Sequence, residues 1–484
     1  FCFGGFHRCN QLPEVRGQGF WRTSSKEWIT VGSDFCDQIV SVFSQKVSDA
    51  TCCRPMHGID EHVETHGPQA NGQSLQVQFG SQSCEMFTAA IKTFATASYR
   101  HRDASSGQSS LYRCSEGALH RSTKGPFGGS VEGTFTAAVE RRLAAGGITV
   151  PVAGSSERFD GRGEHLAGLR AKFDLQALTA GLRAMGLHVF VDPMHGSAAG
   201  CVSDLMGDDA KDLITEIRTN RDPLFGGCAP EPLAPHLGEL IAAVKASKAA
   251  GRHAVGLVFD GDGDRIAAVD ENGRFCSTQQ LMPLLIDHLA RAKNLPGSVV
   301  KTVSGSDLMR LVAEDLGREV LELPVGFKYI AAEMLAGEVL IGGEESGGVG
   351  FGMHLPERDA LFAAMLVLEA LVEGKQPLGE RMQSIQERCG GEAHYDRLDL
   401  RLADMDSRRR LEALLADTPP QEVAGSPVLE VVTTDGVKLR LGPSHWLMLR
   451  FSGTEPLLRL YCEAPSRSRV DEVLSWARTF AAAI

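Results

Sequence analysis

From Lys124 onward, short apolar runs alternate with amphipathic helical stretches, and few architectures accept that rhythm. Phe135 to Leu143 reads as a helix, and Asp174–Met185 as a helix feeding the apolar strand Val189–Val191. A helix near Leu237–Ala249 precedes the strand Ala254–Phe259. The pattern recurs over Leu281–Ala292, Ser298–Val303, Asp307–Leu316 and Val320–Leu323. Short buried strands separated by helices predict an α/β fold with a largely parallel sheet. The last hundred residues instead set strand-like runs (Val428–Thr433, Trp446–Phe451, Leu458–Cys462) between two helices, which predicts a smaller α+β domain. The Gly-, Ser- and Arg-rich stretch Ala153–Gly163 reads as a linker. A chain of 484 residues exceeds what one core organises, so two to four domains are expected.

Before Lys124 the texture is different. Residues 1–123 hold four leucines, against 47 in the remainder, and no clear helical period. Such a stretch struggles to bury a core. It reads as a poorly ordered extension, a divergent domain or a translation out of frame, the last being the favoured expectation. Seven of the 12 cysteines fall in it, but no Cys-x-x-Cys spacing occurs anywhere, so neither a zinc nor a redox motif is expected. A formal charge of −12 argues against a nucleic-acid partner. No run of 18 apolar residues suggests a membrane span. The first residues lack both an initiator Met and the pattern of a secretory signal, and the chain reads as a fragment or processed form. The adjacent Cys52-Cys53 suits a secreted protein, but the rest reads as a reduced enzyme, so a cytoplasmic location is expected.

Chemistry concentrates in three loops. Val255–Phe259 runs into Asp260-Gly261-Asp262-Gly263-Asp264-Arg265, three alternating carboxylates whose glycines let the backbone curl. Their mutual repulsion is costly unless a cation sits among them, and few protein ligands with room for phosphate suit magnesium. An EF-hand is the competing reading, with Glu271 at the twelfth position, but Arg265 stands where that loop needs Gly and the preceding segment reads as a strand. A solvated Asp/Gly turn is the plainer alternative. Gly342-Gly343-Glu344-Glu345-Ser346-Gly347-Gly348 follows a strand-like run, and Glu344 and Ser346 suit sugar hydroxyls. Arg450-Phe451-Ser452-Gly453-Thr454-Glu455-Pro456 gathers a guanidinium, hydroxyls and backbone N–H groups, the parts of a phosphate loop, although a helix-capping turn has the same parts.

In this order the three loops resemble the metal, sugar and phosphate loops of the phosphohexomutases of the phosphoglucomutase/phosphomannomutase type. Val191–Gly196, Asp222–Gly227, Pro324–Lys328 and Lys124–Gly129 are similar to the same family, most of all its bacterial phosphoglucomutase branch. The resemblance covers about three quarters of the chain. It implies three related mixed α/β domains around a cleft plus a C-terminal α+β domain, here 1–152, 153–273, 274–385 and 386–484. It also implies transfer of a phosphoryl group between an active-site phosphoserine and a hexose phosphate, interconverting glucose 1-phosphate and glucose 6-phosphate. Glucose 1,6-bisphosphate would serve as intermediate and activator, and Mg2+ as cofactor. Asp260, Asp262 and Asp264 would hold the metal, with Arg265 beside it. Glu344, Ser346 and, more weakly, Lys328 would contact the sugar, and Arg450, Ser452, Gly453 and Thr454 the phosphate that is not reacting. Mannose phosphate, and less readily glucosamine phosphate, remain open as substrates.

Two parts of the family pattern are missing. The Thr-Ala-Ser-His-Asn-Pro loop expected shortly before Lys124 is replaced by Cys114–Thr123, and no Gly-Thr-Asp-Gly-type segment occurs nearer the N-terminus. Thr96-Ala97-Ser98 offers a weak candidate phosphoserine at Ser98, at about twice the family's spacing. A chain that binds sugar phosphate and metal without turnover is therefore a second expectation.

Overall fold

In the computed structural model the described residues are 157–483 apart from 391, 392, 453 and 454, a segment at 127–145 apart from 130 and 132, and the backbone of short strands before residue 122. The expectations for residues 1–123 and for the first of the three α/β domains lie largely outside them. Helix Gly133–Ala144 stands where the periodicity predicts it.

The expected linker is a correction. Residues 157–159 form a strand, and helix α1 (Gly161–Arg170) begins inside the stretch, because Asp160 caps it by accepting from the Gly163 N–H at 2.9 Å. A good N-cap outweighs the poor helix propensity of two glycines in the first turn. Helix α2 (Leu175–Met185) starts in the same way, with the Asp174 carboxylate accepting from Ala177 N. It ends where Gly186 turns left-handed at φ 60°, sending the chain into β1 (Leu187–Asp192). Leu178 and Leu182 are buried on this helix, each contributing about 1.5–3 kcal/mol.

The first sheet adds β2 (Ile214–Glu216), β3 (His253–Phe259), β4 (Ile266–Val269) and β5 (Phe275–Cys276), in the order β2-β1-β3-β4-β5. The pairs β2–β1 and β1–β3 are parallel; β3–β4 and β4–β5 are antiparallel. The second sheet comprises β6 (Ser298–Thr302), β7 (Val320–Leu323), β8 (Val339–Gly343) and β9 (Val349–Phe351), ordered β7-β6-β8-β9. Its first two pairings are parallel and β8–β9 is antiparallel. Both units therefore end a parallel run with a strand that doubles back, and each puts one of the candidate loops at that reversal. An antiparallel strand on each side of Asp260–Arg265 removes the EF-hand reading.

Helix α3 (Ala360–Gly374) is apolar nearly all round and sits in one continuous core with both sheets, which is why so few of its residues are polar. The C-terminal unit is an antiparallel sheet of β10 (His394–Arg401), β11 (Glu430–Val432), β12 (Val437–Gly442), β13 (His445–Phe451) and β14 (Leu457–Ala464). Its order is β10-β14-β13-β12-β11, and helices Met405–Asp417 and Arg467–Ala482 accompany it, the α+β unit expected. Among the described residues no helix is long and apolar enough to cross a membrane.

Candidate active site

Asp260 ends β3 fully buried, and the backbone shapes the loop around its carboxylate. Its Oδ1 accepts from the N–H groups of Asp264 and Arg265 at 3.0 and 3.1 Å, and its Oδ2 accepts from Arg265 Nε at 2.6 Å. Two neighbouring turns support the loop from below. Ser197 N donates to Gly261 O, and a Cβ on Gly196 would stand 2.7 Å from that same oxygen, so only glycine fits. Gly261 N donates to Pro230 O, while Asp222 accepts from Leu224 N and Gly226 N and so holds Phe225 close under Gly261.

The three carboxylates face one another, with one oxygen from each of Asp260, Asp262 and Asp264 lying within 4.8 Å of the others. Burial, then the charges of Asp262 and Asp264, push Asp260 up to about 7, and burial also raises Asp264. A divalent ion among these hard oxygen donors would relieve both the burial and the repulsion, so the residues present fit Mg2+.

The loop after β8 is joined to this one by the backbone. Arg265 and Gly348 form an antiparallel bridge, Ile266 N donates to Gly347 O at 3.0 Å, and Glu344 N donates to Gly348 O at 2.9 Å. Glu344 is buried, and burial together with the neighbouring Glu345 raises it to about 7. Arg358 lies between the two loops: it pairs with Asp264 at 2.7 Å and lowers the cost of charge on Glu344. The backbone of Gly326 likewise favours charge on Glu344. Ser346 is half-buried at the same turn. Lys328 is exposed, its Nζ 4.9 Å from the Tyr329 ring centroid.

Arg450 stands one residue before the end of β13, with Nε donating to Asp435 at 2.9 Å, and Asp435 also accepts from Val325 N at 3.0 Å. The Arg450 loop is thereby tied to the Pro324–Lys328 turn. Ser452 is buried, with its N–H on Leu457 O. Gly453, Thr454 and the Ser98 side chain lie outside the described residues. The turn at Phe127–Gly129 meets the same region, since a Cβ on Gly129 would stand 2.5 Å from Pro356 O.

Three family models match in chain order and together span more than half of the chain: phosphoglucomutase/phosphomannomutase alpha/beta/alpha domain II at 164–273, alpha/beta/alpha domain III at 277–389 and the C-terminal domain at 400–475. The chain belongs to the phosphoglucomutase/phosphomannomutase family. A phosphoglucomutase/phosphomannomutase of Thermococcus kodakarensis is 29% identical over 286 residues, 59% of each chain. A phosphoglucosamine mutase of Pseudomonas fluorescens strain Pf0-1 is 27% identical over 305 residues, 63% of this chain and 62% of its own. The chain thus matches about three fifths of the length of these curated relatives. A crystal structure from Thermus thermophilus, assigned as a phosphomannomutase, superposes with a TM-score of 0.63 at 27% identity, covering 82% of this chain and 81% of that one.

Within this member of the family, three polar residues at the loops escape sequence reasoning. Arg358 sits in Glu357-Arg358-Asp359, a charged stretch with no motif of its own. Asp435 occupies Thr-Asp-Gly, which reads as a solvated hairpin turn. Ser304 donates to Glu345 at 2.6 Å from the end of β6. Only the position of Ser304, directly after a buried strand of a parallel sheet, carries a general signal, because ligands gather at such strand ends.

Proposed function

We propose that this chain is a phosphohexomutase that interconverts glucose 1-phosphate and glucose 6-phosphate in the cytoplasm, through a phosphoserine and glucose 1,6-bisphosphate. The supporting observation is the backbone bridge between Arg265 and Gly348, which places the acidic loop and the Glu344 loop edge to edge under one arginine, Arg358. Phosphoryl transfer asks the protein for positioning and charge balance rather than covalent chemistry, and this juxtaposition supplies both. Asp260, Asp262 and Asp264 would hold Mg2+, which when bound neutralises charge on a phosphoryl group. Glu344 and Ser346 orient the sugar hydroxyls in either direction of binding. Arg450, Ser452 and Thr454 hold the phosphate that is not reacting, with Asp435 fixing the Arg450 guanidinium. Arg265, steadied by Asp260, faces the phosphoryl oxygens.

A non-catalytic sugar-phosphate binder is the second reading, favoured by the absence of Ser-His-Asn-Pro at 114–123. Turnover of glucose 1-phosphate with Mg2+ and a trace of glucose 1,6-bisphosphate separates the two, with mannose 1-phosphate and glucosamine 1-phosphate run in parallel. The mutase reading expects conversion that falls about 100-fold or more in Glu344→Gln. Retained sugar-phosphate binding without turnover of any of the three would establish the binder instead. Sequencing the coding DNA across Thr123–Lys124 tests whether a shifted frame hides the serine loop.

A further inference from the structure

A second cluster lies outside the loops assigned above. His165 on α1 and His354 after β9 both bring Nε2 to 2.8 Å from the same atom, Asp359 Oδ2, although His165 and Asp359 are 194 residues apart in sequence. Each of the three is also held by a contact outside the cluster. Asp359 caps α3, its Oδ1 accepting from Phe362 N at 3.0 Å, which leaves Oδ2 to the histidines. The His354 ring is stacked on Phe362 at 4.3 Å and 7° between planes. His165 rides on a capped helix with its side chain 40% exposed, so the cluster opens to solvent on one side only. Lys172 is the nearby cation, donating to Met353 O at 3.0 Å.

We propose that His165, His354 and Asp359 form a second metal site, which takes a divalent transition ion of the zinc class in preference to magnesium. Two imidazoles and one carboxylate are donors that zinc, cobalt and nickel accept and magnesium disfavours. The three ligand atoms lie within 4.8 Å of one another. Bonds of about 2.0–2.1 Å in a tetrahedron put ligands about 3.3 Å apart, so the two 2.8 Å contacts need to open by about half an ångström. The exposed His165 edge admits the ion and leaves a fourth position for water. Coordination through Nε2 requires each neutral ring to carry its proton on Nδ1. The bound ion would join α1 to the segment Glu357-Arg358-Asp359, and so fix Arg358 against Asp264.

The test is zinc binding by the full-length chain in an Asp262→Asn background, which disables the acidic loop. Metal content after gel filtration and zinc-edge X-ray absorption are read with and without excess Mg2+. The expected result is one zinc with imidazole scattering, undisplaced by Mg2+, and at least tenfold weaker binding when His165→Ala is added. His354 still serves Asp359 Oδ2 in that variant, so its metal-free stability should fall by only about 1 kcal/mol. Zinc held through sulfur of the 12 cysteines, equal affinity in the His165→Ala protein, or ready displacement by Mg2+ would each overturn the proposal.

Discussion

The three aspartates of the acidic loop are not equivalent. Asp260 is committed to the backbone of its own loop and to Arg265, and Asp264 is paired with Arg358, while Asp262 is only half-buried at the turn between them. Replacing Asp260 would therefore disturb the loop itself, whereas Asp262→Asn keeps the side chain's size and removes a carboxylate oxygen proposed to hold the metal. Saturating Mg2+ stabilises by about 2.7 kcal/mol at a concentration 100 times Kd, so the wild-type melting temperature should rise on adding it. In Asp262→Asn that rise should fall to less than a third, and an undiminished rise would remove Asp262 from the site. The pH dependence has a fixed sign. Asp260 is raised from 3.8 to about 7, so the stability it contributes to the metal-free chain is present below about pH 4 and lost as pH climbs through 7. The Mg2+ effect should accordingly be larger at pH 8 than at pH 6.

At the scale of elements, β3–β4 and β8–β9 are the same device used twice, and Gly347 is where the two copies touch. It sits at φ +108°, and a Cβ there would lie 3.0 Å from both Arg265 Cβ and Ile266 O. Gly347→Ala should cost about 1–3 kcal/mol of stability in urea titrations and lower kcat/KM, by straining the turn and parting the loops. A neutral result would mean that the bridge is dispensable. This juxtaposition was only half legible in the sequence. Asp-Gly-Asp-Gly-Asp declares itself because its chemistry lies in consecutive residues. Arg358, Asp435 and Ser304 reach the loops from other strands and turns, and only the fold brings them there. The same limit explains the expected linker at Ala153–Gly163: glycine count is visible in a sequence, while the Asp160 cap that starts a helix there depends on geometry. The strand Val437–Gly442 went unread for a different reason, since Lys438 and Arg440 interrupt its apolar residues and nothing in the sequence shows that Lys438 is buried.

That lysine belongs to the joint between the second sheet and the C-terminal sheet, which sets how the Arg450 loop stands against the Pro324–Lys328 turn. Val303 and Val325 pack there against Trp446, Met448 and Tyr461. Alongside them Lys301 pairs with Glu322 at 2.6 Å, Arg440 with Asp307 at 3.1 Å, and Lys438 donates to Val303 O at 2.8 Å with Trp446 beneath it. Burial and the neighbouring Lys301 depress Lys438 to about 7, so the joint's bases lose charge as pH rises while Asp307, Glu322 and Glu430 remain its acids. Glu463 is the surplus charge. Its Oε1 accepts from Asp307 N and Trp446 Nε1, but its buried Oε2 has no hydrogen-bond partner among the described residues. Burial and then Asp307 raise it from 4.5 to about 7. A folded-state value above the unfolded one means stability that is full below pH 4.5 and lost as pH rises through 7. Glu463→Gln keeps the Oε1 acceptor and cannot ionise. It should leave stability at pH 5 nearly unchanged and raise it at pH 8.5 by about 2 kcal/mol, the differential interaction that a shift of this size implies less the orphaned amide. Urea unfolding at the two pH values measures the difference directly. Equal changes at both would show that Glu463 is neutral throughout and that the joint carries no surplus charge; a loss at pH 8.5 alone would show instead that its charge holds the two sheets together.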